Sequence, residues 1–415
     1  MASPTSPAIW LPSLKVRQLQ RLASLTGILS SGAKSILIER LYQNLHVSIQ
    51  QPVHNVNQEE CSIDDKKTAS ILSIDMGIRN LAFAHLVVPA GHAGRTKSGE
   101  FKPPILKAWY RLAVPSFVSN SDRALNFNLD DEMRPKKKIT KDRKSLPLNG
   151  PDASSGCDST HVPGNGDGNK VKQKESFAPK VYAAHAYTLM SSLLATYKPT
   201  HVLIERQRFR SGGGSAVPEW TIRVGVFEGM LYAVLRAMQQ ERKGEIANIV
   251  VQGVEPQRVL RYWIDHEEGL DLPPKGKLMG SSPTPNVSKK LSSSKCKQIK
   301  IDRIGELLSS CIGIDVDSTS STGTGDHLGI NLGDDGQIHE VVKAYLKKWK
   351  KLKGGKLSTK RTSGATTDNS QTLEIEKLDD LADCLLQGIT WLEWQNTLQN
   401  VARHGFDVVS SKMGD

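Results

Sequence analysis

No apolar run among these 415 residues approaches the ~20 needed to cross a bilayer, so no membrane partner is expected. The five cysteines (Cys61, Cys157, Cys296, Cys311 and Cys384) form no C-x-x-C pair, and the eleven histidines offer no H-x-x-x-H spacing and no Cys/His cluster. A zinc site is therefore not expected, and an odd, dispersed cysteine set suits a reducing compartment. There is no P-loop, no internal repeat, and no Ser-His-Asp arrangement arguable from residue order. Acidic residues are missing from the start of the chain, where Glu39 is the first, preceded by Lys15, Arg17, Arg21 and Lys34.

Positive charge, by contrast, is plentiful. Lys and Arg number 55 against 43 Asp and Glu, a formal net charge of +12. Charge of this size bears on association rather than on fold, and nucleic acid is the first partner it suggests, ahead of an anionic membrane surface. The length exceeds one ordinary compact core, so at least two ordered units plus loops are expected. The acid-poor, arginine-containing start has the composition of a mitochondrial transit peptide, yet the same segment also reads as a folded module.

That module spans residues 8–48. Leu14 to Leu22 carries apolar residues at helical spacing, Gly27 stops the helix, Ser30 to Lys34 is a turn and cap, and a second helix starts at Ile36. Residues 49–69 are polar and read as a linker. A larger unit fills 70–404. It begins with strands at Ser70–Ile74, Leu81–Val88 and Ile105–Val114, with Gly77 in the first turn. A helix at Pro179–Tyr197 follows, then an almost wholly apolar strand at Thr200–Glu205, a basic glycine-rich loop, and a helix opened by Pro218. A strand at Ile246–Val254 precedes helices from Pro256, over Lys297–Ser310, over His339–Lys351, and over Leu378–Gln395. Insertions without periodicity interrupt this unit at about 116–176, 270–295, 315–335 and 352–372. Three strands followed by alternating helices and strands predict an α/β domain with a mixed sheet.

Carboxylates mark three places in this pattern. Asp75 ends the run Ile71-Leu72-Ser73-Ile74, and Glu205 ends Val202-Leu203-Ile204. Asp75 could instead cap its own turn. A carboxylate on a buried strand such as Glu205 must be paired or bound to metal, and Arg206, Arg208 and Arg210 are the competing partners. Near the C-terminus, Asp379 and Asp383 are four apart and Asp380 and Asp383 three apart, which puts two carboxylates on one helix face. An acidic first turn complementing the helix dipole is the alternative. The spacing leaves open which of Asp379 and Asp380 joins Asp383. Carboxylates at the ends of two strands with a third on a helix can converge on a pair of Mg²⁺ ions, as in phosphodiester-cutting nucleases. The loop Arg206–Gly214 offers arginine forks and glycine amides to phosphates.

Two resemblances organise these observations. The two short helices joined through Gly-Ile and Ser-Gly-x-Lys resemble a SAP domain, a small DNA-binding helix-turn-helix module. It implies phosphate contacts by Lys15, Arg17 and Lys34, whereas a plain helical hairpin would serve dimerisation or targeting. The segments Ser-Ile-Asp-Met-Gly-Ile-Arg-Asn-Leu-Ala, Leu-Ile-Glu-Arg-Gln-Arg-x-Arg-Ser-Gly-Gly and Lys-Leu-Asp-Asp-Leu-Ala-Asp-Cys-Leu-Leu together resemble the fungal mitochondrial Holliday-junction resolvases, relatives of bacterial RuvC with an RNase H-like fold. The resemblance runs from Ser70 to about Trp394, outside the insertions. It implies catalytic carboxylates at Asp75, Glu205, Asp379 or Asp380, and Asp383, while the DNA contacts expected of Arg206, Arg208 and Arg210 follow from the basic loop's own chemistry. It further implies two Mg²⁺ ions (with Mn²⁺ able to substitute), a homodimer, a mitochondrial location, and paired nicks across four-way branched DNA.

Overall fold

A computed structural model of the chain describes residues 9–50, 69–89, 102–121, 177–207, 217–242, 244–267, 292–313, 328–353 and 375–406. The elements are α1 (Val16–Leu25), α2 (Lys34–Gln50), β1 (Ala69–Asp75), β2 (Leu81–Val88), β3 (Ile105–Leu112), α3 (Val114–Ser121), α4 (Pro179–Tyr197) and β4 (His201–Glu205). They continue as α5 (Glu219–Glu241), β5 (Val250–Val254), α6 (Pro256–Glu267), α7 (Ser293–Ile312), β6 (Asn331–Leu332), α8 (Gly336–Lys353) and α9 (Asp379–His404). The strands form one sheet in the order β5-β4-β1-β2-β3-β6. The meander β1-β2-β3 is antiparallel, while β4 runs parallel to β1, β5 parallel to β4 and β6 parallel to β3. This is the expected mixed sheet flanked by helices.

The pleat divides the core in two. Leu72, Ile74, Val202 and Ile204 face a layer built from α3, α4 and α5. Ala69, Ile71 and Leu203 face the other layer, built from α6, α7, α8 and α9. β1 is buried along its whole length, as a central strand covered on both faces must be. Within the second layer α9 is buried nearly all round, because helices as well as the sheet surround it. Gly388 lets it approach β1 and β2: a Cβ at that position would lie 2.7 Å from Leu86 Cδ1 and 3.3 Å from Ser73 Cβ.

Three expectations need correction. The predicted insertions fall mostly outside the described residues, but parts of them are structured: α3 forms at the start of the first, and α7 begins at Ser293, inside the second. At the end of the third, β6 adds a two-residue parallel edge to β3, with Ile105 opposite Asn331 and Leu106 opposite Leu332, too short for any periodicity to reveal. The strand predicted from Ile246 starts only at Val250, after a turn of 3₁₀ helix at Glu245–Asn248. Finally, the two N-terminal helices share a core with the larger unit. Leu11, Leu19, Leu22, Leu37, Leu41 and Leu45 pack with Leu398 and Val401 of α9. Gly27, at φ +69°, sits so close to Trp394 that a Cβ there would run into the indole ring, and Arg258 Nη1 donates to Gly27 O at 3.1 Å.

Candidate active site

Strand parity brings the first two carboxylates together. Residues 69, 71, 73 and 75 of β1 alternate onto one face, and residues 201, 203 and 205 of β4 do the same. Ser73 confirms which face it is, because its Oγ donates to the Cys384 carbonyl of α9 at 2.7 Å. The parallel register sets Ile74 beside Ile204, so Asp75 and Glu205 leave the adjacent strands as neighbours, both towards α9. They are close enough to hydrogen-bond to each other.

α9 supplies the other carboxylates from its first turns, and its position is fixed by hydrogen bonds to the sheet. Trp109 Nε1 donates to Leu381 O at 2.9 Å, and Gln387 Nε2 donates to Ser73 Oγ at 3.1 Å and to Ile74 O at 3.3 Å. Each aspartate of the cluster meets its own cation. Asp379 pairs with Lys297 at 2.7 Å, Asp380 with Arg111 at 2.9 Å and Asp383 with Lys300 at 2.9 Å. Arg111 extends from β3 and also donates to Asn80 Oδ1. Lys297 and Lys300 lie three apart on α7, one turn of a helix that packs on α9.

The electrostatics show how closely these groups face one another. Asp75 is 8 % exposed. Burial, then the Glu205 carboxyl, and then Asp383 and Asp380, push it well above the usual carboxylate range. Burial raises Asp383 to about 6, with Lys300 opposing and Glu205 adding to the rise. Asp380 is raised by burial and by Asp379 against the pull of Arg111. Asp379 is different: burial works against its charge, but the Lys297 hydrogen bond prevails and its pKa is lowered. Burial likewise opposes the charge of Lys300, yet Asp383, Glu205 and Asp75 hold it above the ordinary lysine value. Asp75, Glu205 and Asp383 are thus near enough to feel one another's charge, with Lys300 and Asp380 within the same field. The donors are hard oxygens of the kind Mg²⁺ takes. As they stand, no group of three or more His, Cys, Asp or Glu side chains among the described residues is gathered tightly enough to hold a metal ion; lysine and arginine supply the cluster's positive charge.

The remaining predicted residues are placed as follows. The backbone N–H of Arg206 donates to Val254 O at 2.8 Å, and its side chain lies across Gly253, where a Cβ would be 2.8 Å from its Cγ. Arg208 and Arg210 lie outside the described residues, as does Lys136-Lys137-Lys138. Lys15, Arg17 and Lys34 belong to the N-terminal helices. Lys34 Nζ is folded back onto the Pro12 carbonyl at 2.8 Å, whereas Lys15 and Arg17 are exposed. Trp349 is buried, with its Nε1 on Asp302 Oδ1 at 2.8 Å, so the Lys347–Lys351 run is a helix with one core tryptophan. Trp263 is in the core. Trp220 is 39 % exposed, with the Arg79 guanidinium 5.2 Å from its ring centre. The stripe Val224, Phe227, Leu231 and Leu235 packs on the sheet rather than forming a free seam.

Sequence reasoning missed Lys300, Lys297 and Arg111, which match the three aspartates one to one. Nothing in their sequence pattern marks these three cations as partners of the acidic helix face. Glu228 accepts from the Gln207 backbone N–H at 2.9 Å and so anchors the chain just after Glu205.

Residues 71–401 match the family model described as mitochondrial resolvase Ydc2 / RNA splicing MRS1. Similar proteins include the mitochondrial cruciform cutting endonuclease 1 of Schizosaccharomyces pombe, 33 % identical over 98 residues, covering 23 % of this chain and 38 % of the relative. The protein of that name from Saccharomyces cerevisiae is 27 % identical over 210 residues, covering 49 % of this chain and 50 % of the relative. The matched regions thus span no more than half the length of these curated relatives. Among solved structures, the yeast mitochondrial Holliday junction resolvase Ydc2 aligns with a TM-score of 0.44 at 19 % identity, over 94 % of this chain and 99 % of that one.

Proposed function

The chain belongs to the mitochondrial resolvase Ydc2 / RNA splicing MRS1 family, and we propose that it is a mitochondrial endonuclease that resolves four-way DNA junctions by paired, symmetric nicks. The reading rests above all on the placement of Asp75 and Glu205 at the same end of adjacent parallel strands, with Asp383 facing them from α9. Carboxylates that repel one another, one buried and two half-buried, have little structural use but much use as ligands. In this proposal Asp75, Glu205, Asp380 and Asp383 hold Mg²⁺, two ions in the full site, with Mn²⁺ able to replace it. When bound, the divalent cation would supply a more acidic water and charge stabilisation for the departing 3′ oxygen, and the expected products are 5′-phosphate and 3′-hydroxyl ends.

The chain's own residues hold that geometry. β1 and β4 fix the spacing of Asp75 and Glu205. Trp109, Ser73 and Gln387 pin α9, which sets the direction from which Asp383 arrives. Arg111 and Lys300 keep Asp380 and Asp383 oriented while no divalent cation is bound. Arg206, with Arg208 and Arg210 in the loop that follows, grips phosphates beside the cut. The SAP-like helices add affinity for DNA. A junction has two-fold symmetry, so a homodimer delivers two equivalent cuts; the exposed Ile222 and Val226 on α5 suit a subunit seam.

The family description pairs resolvases with RNA splicing, which favours structured RNA as the second reading. Competition at equal salt separates the two: a labelled four-way junction, its linear duplex, a structured RNA and an RNA–DNA hybrid are offered with Mg²⁺. Preferential, paired nicking of the junction supports the proposal, and preferential cutting or binding of RNA overturns it.

A further inference from the structure

The carboxylates proposed as ligands are already engaged. Asp75 and Glu205 hydrogen-bond to each other, Asp380 pairs with Arg111, and Asp383 pairs with Lys300. A divalent cation enters only as these contacts give way, and they are not equally easy to release. Arg111 is a rigid planar fork tied at two ends, to Asp380 and to Asn80 Oδ1. Lys300 is a point charge on a flexible stem. Its Nζ lies 2.9 Å from Asp383 Oδ1, an oxygen that is out of water and receives no well-aligned hydrogen bond. The Glu205 and Asp75 charges also act on this ammonium. The backbone behind it is fixed. Ile301, the next residue, accepts from Tyr345 Oη at its carbonyl, at 3.2 Å, and Gly305 packs so closely on Trp349 that a Cβ there would run into the indole. α7 is thereby held against α8, so rotation of the lysine stem is what frees Asp383. The side chain keeps a little exposed surface, which gives it a way out.

We propose that Lys300 is an exchangeable counter-ion: it neutralises Asp383 in the metal-free protein, swings outward as a divalent cation binds, and so sets how tightly the centre holds metal. Carboxylates left without any cation would repel one another and strain the fold. Carboxylates neutralised for good would bind no metal. A lysine that can leave meets both demands, and its charge opposes an incoming cation until it does. This inference rests on the reading of the acidic cluster as a metal centre. It gives Lys300 a part in metal affinity that an ion pair serving stability alone would not have.

Two measurements on the full chain without DNA test it. The first is Mn²⁺ binding, followed by loss of the free-ion EPR signal, with thermal melting to show that each variant is folded. Lys300→Met should bind Mn²⁺ tighter than wild type by ~10-fold or more. Lys297→Met removes the same charge from the same helix, but from an exposed pair, and should change the affinity by less than ~3-fold. The second measurement uses only the wild type, so it does not depend on a variant folding. Amine acetylation is read residue by residue by mass spectrometry, with and without Mg²⁺. Reactivity at Lys300 should rise with Mg²⁺, while Lys348, which donates to the carbonyls of Ile375 and Glu376, is the unchanged reference. Unchanged or weaker Mn²⁺ binding by Lys300→Met, equal tightening by Lys297→Met, or a Lys300 no more reactive with Mg²⁺ would each overturn the exchange. Wild-type Mn²⁺ binding alongside any of these leaves the metal centre standing, whereas a wild type that binds no divalent cation removes both.

Discussion

Replacing Lys300 by methionine tests the charge balance of the centre without touching a carboxylate. The Lys300 side chain is 14 % exposed and that of Asp383 24 %, so the pair is mostly out of water. Removing one partner of a buried pair costs ~3–5 kcal/mol. Partial exposure, and the freedom of Asp383 to take up a proton, reduce this to about 2 kcal/mol at neutral pH. Lys297 offers a matched control: its ion pair with Asp379 is equally short, but its side chain is 58 % exposed, and loss of such a pair costs under ~1 kcal/mol. Urea unfolding in the presence of EDTA should therefore show Lys300→Met clearly less stable than wild type and Lys297→Met close to it, both with unchanged m-values. Added Mg²⁺ should recover part of the Lys300→Met loss, since a divalent cation then offsets Asp383. Equal stability of the two variants, or a Lys300→Met protein as stable as wild type, would show that Lys300 does not compensate the cluster.

Gly27→Ala combines a left-handed backbone with a Cβ driven into Trp394; strain and displacement together should cost ~2–4 kcal/mol, read as a lower Tm and faster proteolysis of the N-terminal helices. His85 is buried, with Nε2 2.8 Å from Ser70 Oγ, and burial, then Lys107, lowers its pKa from 6.5 to about 4. The folded state thus binds its proton more weakly than the unfolded chain, so this contribution is intact above pH 6.5 and falls as pH drops from 6.5 towards 4. The loss totals about 3 kcal/mol; the difference in stability between wild type and His85→Gln, followed by urea unfolding across that range, should shrink accordingly, and a pH-independent difference would contradict it.

What could be read from the chain follows local physics. β1 and β4 are short apolar runs ended by a carboxylate, and a buried strand leaves such a residue only at its tip. α9 announces itself by three aspartates at one-turn spacing ahead of a long apolar helix. The face on which these groups meet also follows from parity, once the strands are paired. Lys300 was not legible, because its burial comes from α7 docking on α9, and a lysine-rich helix start reads as solvated. The docking of the N-terminal helices was hidden for the same reason: Gly27 and Trp394 meet across most of the chain's length, and neither says so locally. Trp220 shows the opposite effect: it is a large aromatic near the start of a helix with a buried apolar stripe, yet α5 turns it outward towards Arg79.

The decisive experiment is cleavage of a labelled four-way junction with Mg²⁺ by the wild type and by Asp75→Asn, a substitution that keeps the side-chain shape and removes its charge. Symmetric paired nicks by the wild type, none on linear duplex, and a loss of at least ~100-fold in the variant despite retained junction binding are predicted if Asp75 holds a catalytic cation. Junction cleavage by Asp75→Asn at the wild-type rate would contradict the carboxylate centre, and tight binding without cleavage by the wild type would contradict the assignment of an endonuclease.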